Sequence, residues 1–67
     1  MTIELLKGAR VHSYYEPWPY RGKMTYETKV IENVLRRAGG GYTWTDPKTG
    51  REHWVTSDHQ ARVVEDT

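Results

Sequence analysis

The chain has 67 residues, 36% of them hydrophobic, no cysteine, and a formal net charge of +1 at pH 7. A chain this short is a single domain that buries only roughly 60% of the surface it exposes when unfolded. The absence of cysteine excludes a disulfide framework and a thiolate metal site. No apolar run approaches the ~20 residues that span a bilayer, and MTIELLKGAR is too poor in apolar residues for a signal peptide. The expectation is a soluble cytoplasmic domain over residues 1–67, with its core at about 8–65 and no membrane contact.

In chain order, Lys7-Gly8 turns into Ala9-Arg10-Val11-His12-Ser13-Tyr14-Tyr15. Alternation sets Ala9, Val11 and Ser13 on one face and Arg10, His12 and Tyr14 on the other, which reads as a first strand. The segment YYEPWPYRG follows, with Tyr14, Tyr15, Trp18 and Tyr20 beside Pro17 and Pro19. The prolines remove backbone donors and end regular pairing, so residues 16–22 read as a stiff loop closed by Gly22. Of Tyr14 and Tyr15, one is expected to enter the core and the other to face out. Residues 24–37 carry two patterns. Val30, Ile31, Val34, Leu35 and Ala38 fit a helical stripe stopped by Gly39, and the same stretch fits a long β-branched strand with a bulge. Gly39-Gly40-Gly41 is a turn or hinge. Tyr42–Thr45 and His53–Thr56 are strands around the turn Asp46-Pro47-Lys48-Thr49-Gly50, where Asp caps, Pro pre-sets φ and Gly takes the left-handed position. Ser57-Asp58-His59-Gln60 suits a 3₁₀ turn capped by Ser57. Residues 61–65 form a last strand, and Asp66-Thr67 is expected to fray.

This order resembles the SH3-like small barrels of the Tudor and KOW type. The resemblance rests on Gly8-x-x-Val11, a loop closing on Gly22-Lys23, a long second strand, the tight Asp-Pro-Lys-Thr-Gly hairpin, and the strand, 3₁₀ turn, strand ending over Val55–Val64. It covers most of 8–65 as a pattern of elements. It implies an all-β, five-stranded SH3-like barrel with a short 3₁₀ turn before the last strand, and so favours strand over helix for 24–37. The alternative is an α+β fold with residues 25–38 helical.

Hairpin register decides which aromatics lie inside. If Asp46 faces Arg51, then Trp44 faces His53, Tyr42 faces Val55, and Trp54 lies on the opposite face with Thr43 and Thr45. A turn one residue tighter would put Trp54 with Tyr42 and Trp44. The first register is favoured because it places Val55 in the core and frees Trp54 for the surface.

No residue set points to catalysis or to a cofactor. Ser57, Asp58 and His59 are neighbours, but a triad needs convergent side chains and an oxyanion hole. His12, His53 and His59 are three possible bases, and His53 and His59 lack metal-ligand spacing. Gly39-Gly40-Gly41 after Arg36-Arg37 is a weak phosphate loop, better read as a hinge needing positive φ. The expectation is a non-enzymatic protein without metal or cofactor.

Every aromatic residue is Trp or Tyr, each with a polar handle suited to half-buried and interface positions. Charge is uneven: residues 21–37 carry net +3 and residues 38–67 net −2. The reading is a binding module or small regulator acting on a protein partner, with Trp18, Tyr20, Arg21 and Trp54 as partner-binding residues. Prolines pre-stiffen the loop, and Trp, Tyr and Arg dominate interface energetics. The alternative is a domain that binds DNA or RNA, stacking bases on Trp18, Tyr20 and Trp54 with Arg21, Lys23, Lys29, Arg36 and Arg37 on phosphates.

Overall fold

The computed structural model describes residues 1–65, so the expected fraying of Asp66-Thr67 lies outside the described residues. Eight strands and one 3₁₀ turn follow in order: β1 (Thr2–Leu5), β2 (Arg10–Ser13), β3 (Lys23–Met24), β4 (Lys29–Ile31), β5 (Leu35–Arg36), β6 (Tyr42–Thr45), β7 (Glu52–Val55), the 3₁₀ turn Asp58–Gln60, and β8 (Ala61–Glu65). The fold is all-β. Two sheets form, ordered β4-β1-β8 and β3-β2-β7-β6-β5, and every pairing is antiparallel. The eight short strands of the described residues lie in two sheets that are not closed into a barrel. No helix among the described residues is long and apolar enough to cross a membrane.

The first strand of the fold is β1, which the expected core boundary at residue 8 left out. Ile3 and Leu5 alternate with Thr2 and Glu4, so both apolar side chains point inward, and both are buried. β1 is the central strand of its sheet. Ile3 pairs with Ile31 on one side and Val63 on the other.

Residues 24–37 are neither a helix nor one long strand. Asn33 sits at φ 58, in the left-handed region that a continuous helix or strand does not visit. The chain turns there and passes from the first sheet (β4) to the second (β5). Val34 becomes 1% exposed, and its N–H donates to the Met1 carbonyl at 2.8 Å. Val30 and Leu35, which would share the helical stripe with Val34, are both exposed. The apolar residues therefore face two ways, which a single helix stripe cannot do.

The β6–β7 hairpin takes the register favoured from sequence: Trp44 opposite His53, Tyr42 opposite Val55, and Thr43 opposite Trp54. Asp46 N–H donates to the Arg51 carbonyl at 2.8 Å, the Asp46 carboxylate accepts from Lys48 N–H at 2.8 Å, and Gly50 takes φ 72. Tyr42, Trp44 and Val55 thus join Ile3, Leu5, Val34 and Ala61 in one core drawn from both sheets. Met1, Val11, Ile31 and Val63 pack around it.

The Gly39-Gly40-Gly41 turn is required at Gly41. Its φ is 84, and a Cβ there would lie 1.8 Å from the Val55 carbonyl oxygen. Gly41 N–H donates to Asp58 Oδ1 at 2.8 Å, which fastens the turn to the 3₁₀ segment. Ser57 caps that segment, its Oγ accepting from His59 N–H at 3.2 Å.

Candidate functional site: an aromatic loop beside a basic groove

β2 positions one side of the site. Its alternation sends Val11 toward the core and His12 to the outer face of the five-stranded sheet. There His12 pairs with Trp54, and the two rings stack with centroids 6.1 Å apart and planes 18° apart. Tyr14, just past the strand end, meets Trp54 edge-on at 5.2 Å and 63°. Trp54 is therefore half-buried between these two rings rather than free on the surface. The expectation that Tyr14 or Tyr15 enters the core is not met, since both are exposed. The reason lies in the turn at Tyr15, whose φ of 65 ends the strand and breaks the alternation that would have sent one ring inward.

The loop that follows is held at its foot. Glu16 Oε1 lies 2.9 Å from His12 Nδ1, and both side chains are largely shielded. At the other end Gly22 takes φ 73 against β2. A Cβ there would lie 2.8 Å from the Val11 carbonyl oxygen, so only glycine lets the returning chain approach so closely. Between these anchors Tyr20 N–H donates to the Pro17 carbonyl at 3.0 Å around a cis Trp18–Pro19 peptide. Trp18 is 80% exposed, and Tyr15 and Tyr20 are exposed beside it.

The predicted partner-binding residues thus divide into two places. Trp18, Tyr20 and Arg21 belong to the exposed loop, where among the described residues none makes a ring contact or an ion pair. Trp54 belongs to the sheet face. There it shares a groove of about 420 Å³ with Tyr14, Thr43, Glu52, Arg36 and Arg37. Both arginines of the nucleic-acid alternative border this groove, but Arg36 stands opposite Tyr42, so its side chain lies on the other face of the sheet from Trp54. Arg36 lies over the Tyr42 ring, 5.6 Å from its centroid, and Arg37 donates to the Gly40 carbonyl at 3.1 Å. Lys23 and Lys29 are not gathered with them. Lys23 is on β3, the far edge of the five-stranded sheet, and Lys29 is on β4 in the other sheet.

His12 and Tyr14 are site residues that the sequence reading did not single out. Their shared face was visible in the alternation of β2. What joins them to Trp54 is the β2–β7 pairing, between segments some forty residues apart, which no local pattern announces.

The weaker candidates find structural roles. Asp58 Oδ1 accepts from Gly41 N–H, and Ser57 Oγ accepts from His59 N–H. Two donors of the glycine turn are taken as well, Gly40 N–H by the Arg37 carbonyl at 3.2 Å and Gly41 N–H by Asp58. A phosphate at that turn would have to displace a carboxylate. Comparison with known proteins gives no family: no family model, no curated protein and no solved structure matches the chain.

Proposed function

We propose that the protein is a non-enzymatic binding module or small regulator of SH3-like type that engages a protein partner in the cytoplasm through the loop around Trp18. The observation that carries this reading is the exposure of Trp18, at 80%, within a loop whose two ends are fastened. Tryptophan is among the residues most enriched in interface hot spots, and a large ring held in water on an anchored loop loses little conformational freedom when a partner covers it. Tyr20 and Arg21 follow it directly in the same exposed stretch. The element order supports the SH3-like assignment, with its tight β6–β7 hairpin and its 3₁₀ turn before a last strand that returns to β1. The test is Trp18→Ala: retention of the protein partner is lost while the fold and its thermal midpoint are kept.

A second reading, nucleic-acid binding, has one specific observation in its favour. Arg37 borders the groove that holds Tyr14 and Trp54, which sets a cation beside a stacking surface. Under this reading a single-stranded oligonucleotide is retained at low salt, and replacing Arg37 weakens retention and flattens its salt dependence.

A further inference from the structure

The two sheets have four edge strands, and three of them are poor templates for further pairing. β3 and β4 are two and three residues long, and each presents an exposed lysine, Lys23 and Lys29. β5 has two residues. Short strands and edge lysines are the usual means by which a sheet avoids adding a strand. β8 differs. It has five residues, Ala61–Glu65, with neither lysine nor proline. Among the described residues β1 is its one strand partner. Its cation, Arg62, is engaged by Glu4 of β1 at 2.7 Å.

The backbone of β8 is set for a second partner. Leu6 N–H donates to the Gln60 carbonyl at 2.9 Å, so the alternation of the ladder makes Glu4–Arg62 the next bonded pair. The N–H and C=O of Val63, one residue on, therefore point away from β1. The Val63 side chain packs at the margin of the core, at the end of the apolar row Ile31–Ile3–Val63. The pairing shifts between Thr2 and Ile3, which leaves Val64 exposed and with no opposite residue on β1. We propose that β8 pairs antiparallel with β8 of a second copy of this chain, about a twofold axis at Val63. This association is separate from the loop around Trp18.

Self-complementarity selects this occupant and its register. Centred on Val63, the pairing sets Val63 against Val63 of the second copy, so the row Ile31–Ile3–Val63 runs into its own symmetry mate. It also sets each Arg62 opposite the exposed Val64 of the other copy, which can cover the aliphatic stem of the arginine. A register centred on Arg62 would oppose Arg62 to Arg62, a like-charge pair that a ladder disfavours. One centred on Val64 would set the apolar Val63 against Glu65. The Glu4–Arg62 ion pair lies on the β1 side and is kept. The two three-stranded sheets join into one, ordered β4-β1-β8-β8-β1-β4. One short strand edge is a small interface, so the dimer is weak and concentration-dependent.

The test is sedimentation equilibrium of the full chain from about 10 µM to about 1 mM, the range of a small transient interface. A monomer–dimer equilibrium is expected. Val64→Lys sets a lysine opposite Arg62 of the second copy at two symmetric places, and should weaken the dimer about tenfold. Val64→Glu sets the opposite charge there and should tighten the dimer about two- to threefold. Val64 is exposed, so both variants should keep their fold. A gain of affinity cannot come from unfolding, so Val64→Glu decides the matter even if Val64→Lys folds poorly. Trp18→Ala should leave the dimer unchanged. In hydrogen exchange the Val63 amide should gain protection as protein concentration rises, while the Arg62 amide, bonded to β1, is protected throughout. A chain that stays monomeric over the whole range overturns the proposal. So does a dimer that both charge variants move alike or leave unchanged. A dimer lost in Trp18→Ala assigns the association to the loop and also overturns it.

Discussion

His12 stacks on Trp54 with ring centroids 6.1 Å apart, while its Nδ1 faces Glu16 Oε1 at 2.9 Å. One side chain therefore couples the sheet face to the foot of the exposed loop. Removing it should disturb both places. His12→Ala is expected to cost about 1 kcal/mol in urea denaturation, through the lost ring contact and the lost partner for Glu16. In an NMR spectrum the Trp54 indole N–H and the Tyr14 to Gly22 amides should shift together. Shifts confined to the sheet would separate the loop from this anchor.

The central place of β1 makes a quantitative demand. Ile3 is fully buried between Ile31 and Val63, so Ile3→Ala should destabilise by about 2–5 kcal/mol. For a domain this small that is a large share of the whole. Val30, exposed on the neighbouring strand β4, is the control, and Val30→Ala should stay within about 0.5 kcal/mol. Chemical denaturation of both variants checks the contrast.

The sequence made the hairpin and its consequences readable because the information there is local. Asp46, Pro47 and Gly50 specify the turn, and the turn specifies the register that puts Tyr42, Trp44 and Val55 inside. The Ser57 cap was readable for the same reason. β1 was not, since Thr2–Leu5 is short and its partners, β4 and β8, lie far along the chain. Residues 24–37 misled because their β-branched and apolar side chains serve two sheets, with the switch made by a left-handed Asn33. The candidate site was half legible. Trp18, Tyr20 and Arg21 stood out through the prolines, whereas the meeting of Trp54, Tyr14 and Arg37 depends on which strands pair.

Two glycines of one turn should respond differently. Gly41→Ala places a Cβ 1.8 Å from the Val55 carbonyl oxygen in a backbone at φ 84, and should cost at least about 3 kcal/mol or abolish folding. Gly39, at φ 91, faces open space, so Gly39→Ala carries only the left-handed penalty of about 1–2 kcal/mol. Equal losses in thermal or chemical unfolding would contradict the packing of this turn against β7.

Asp58 fastens the same turn from the other side. Its Oδ1 accepts from the buried Gly41 N–H at 2.8 Å. Asp58→Ala leaves that donor without its acceptor and should cost about 1–3 kcal/mol. Amide hydrogen exchange at Gly41 is the direct check, with protection expected to fall in the variant and to be largely restored in Asp58→Asn.

The central claim is that Trp18 is held out for a partner rather than for the fold, and one paired measurement on Trp18→Ala tests it: thermal midpoint and partner retention on the same preparation. The account expects a midpoint within about 2 °C of the unchanged protein, because a mostly exposed ring contributes little to stability, together with loss of the partner that the unchanged protein retains. A large fall in midpoint, or full retention of the partner, would contradict it.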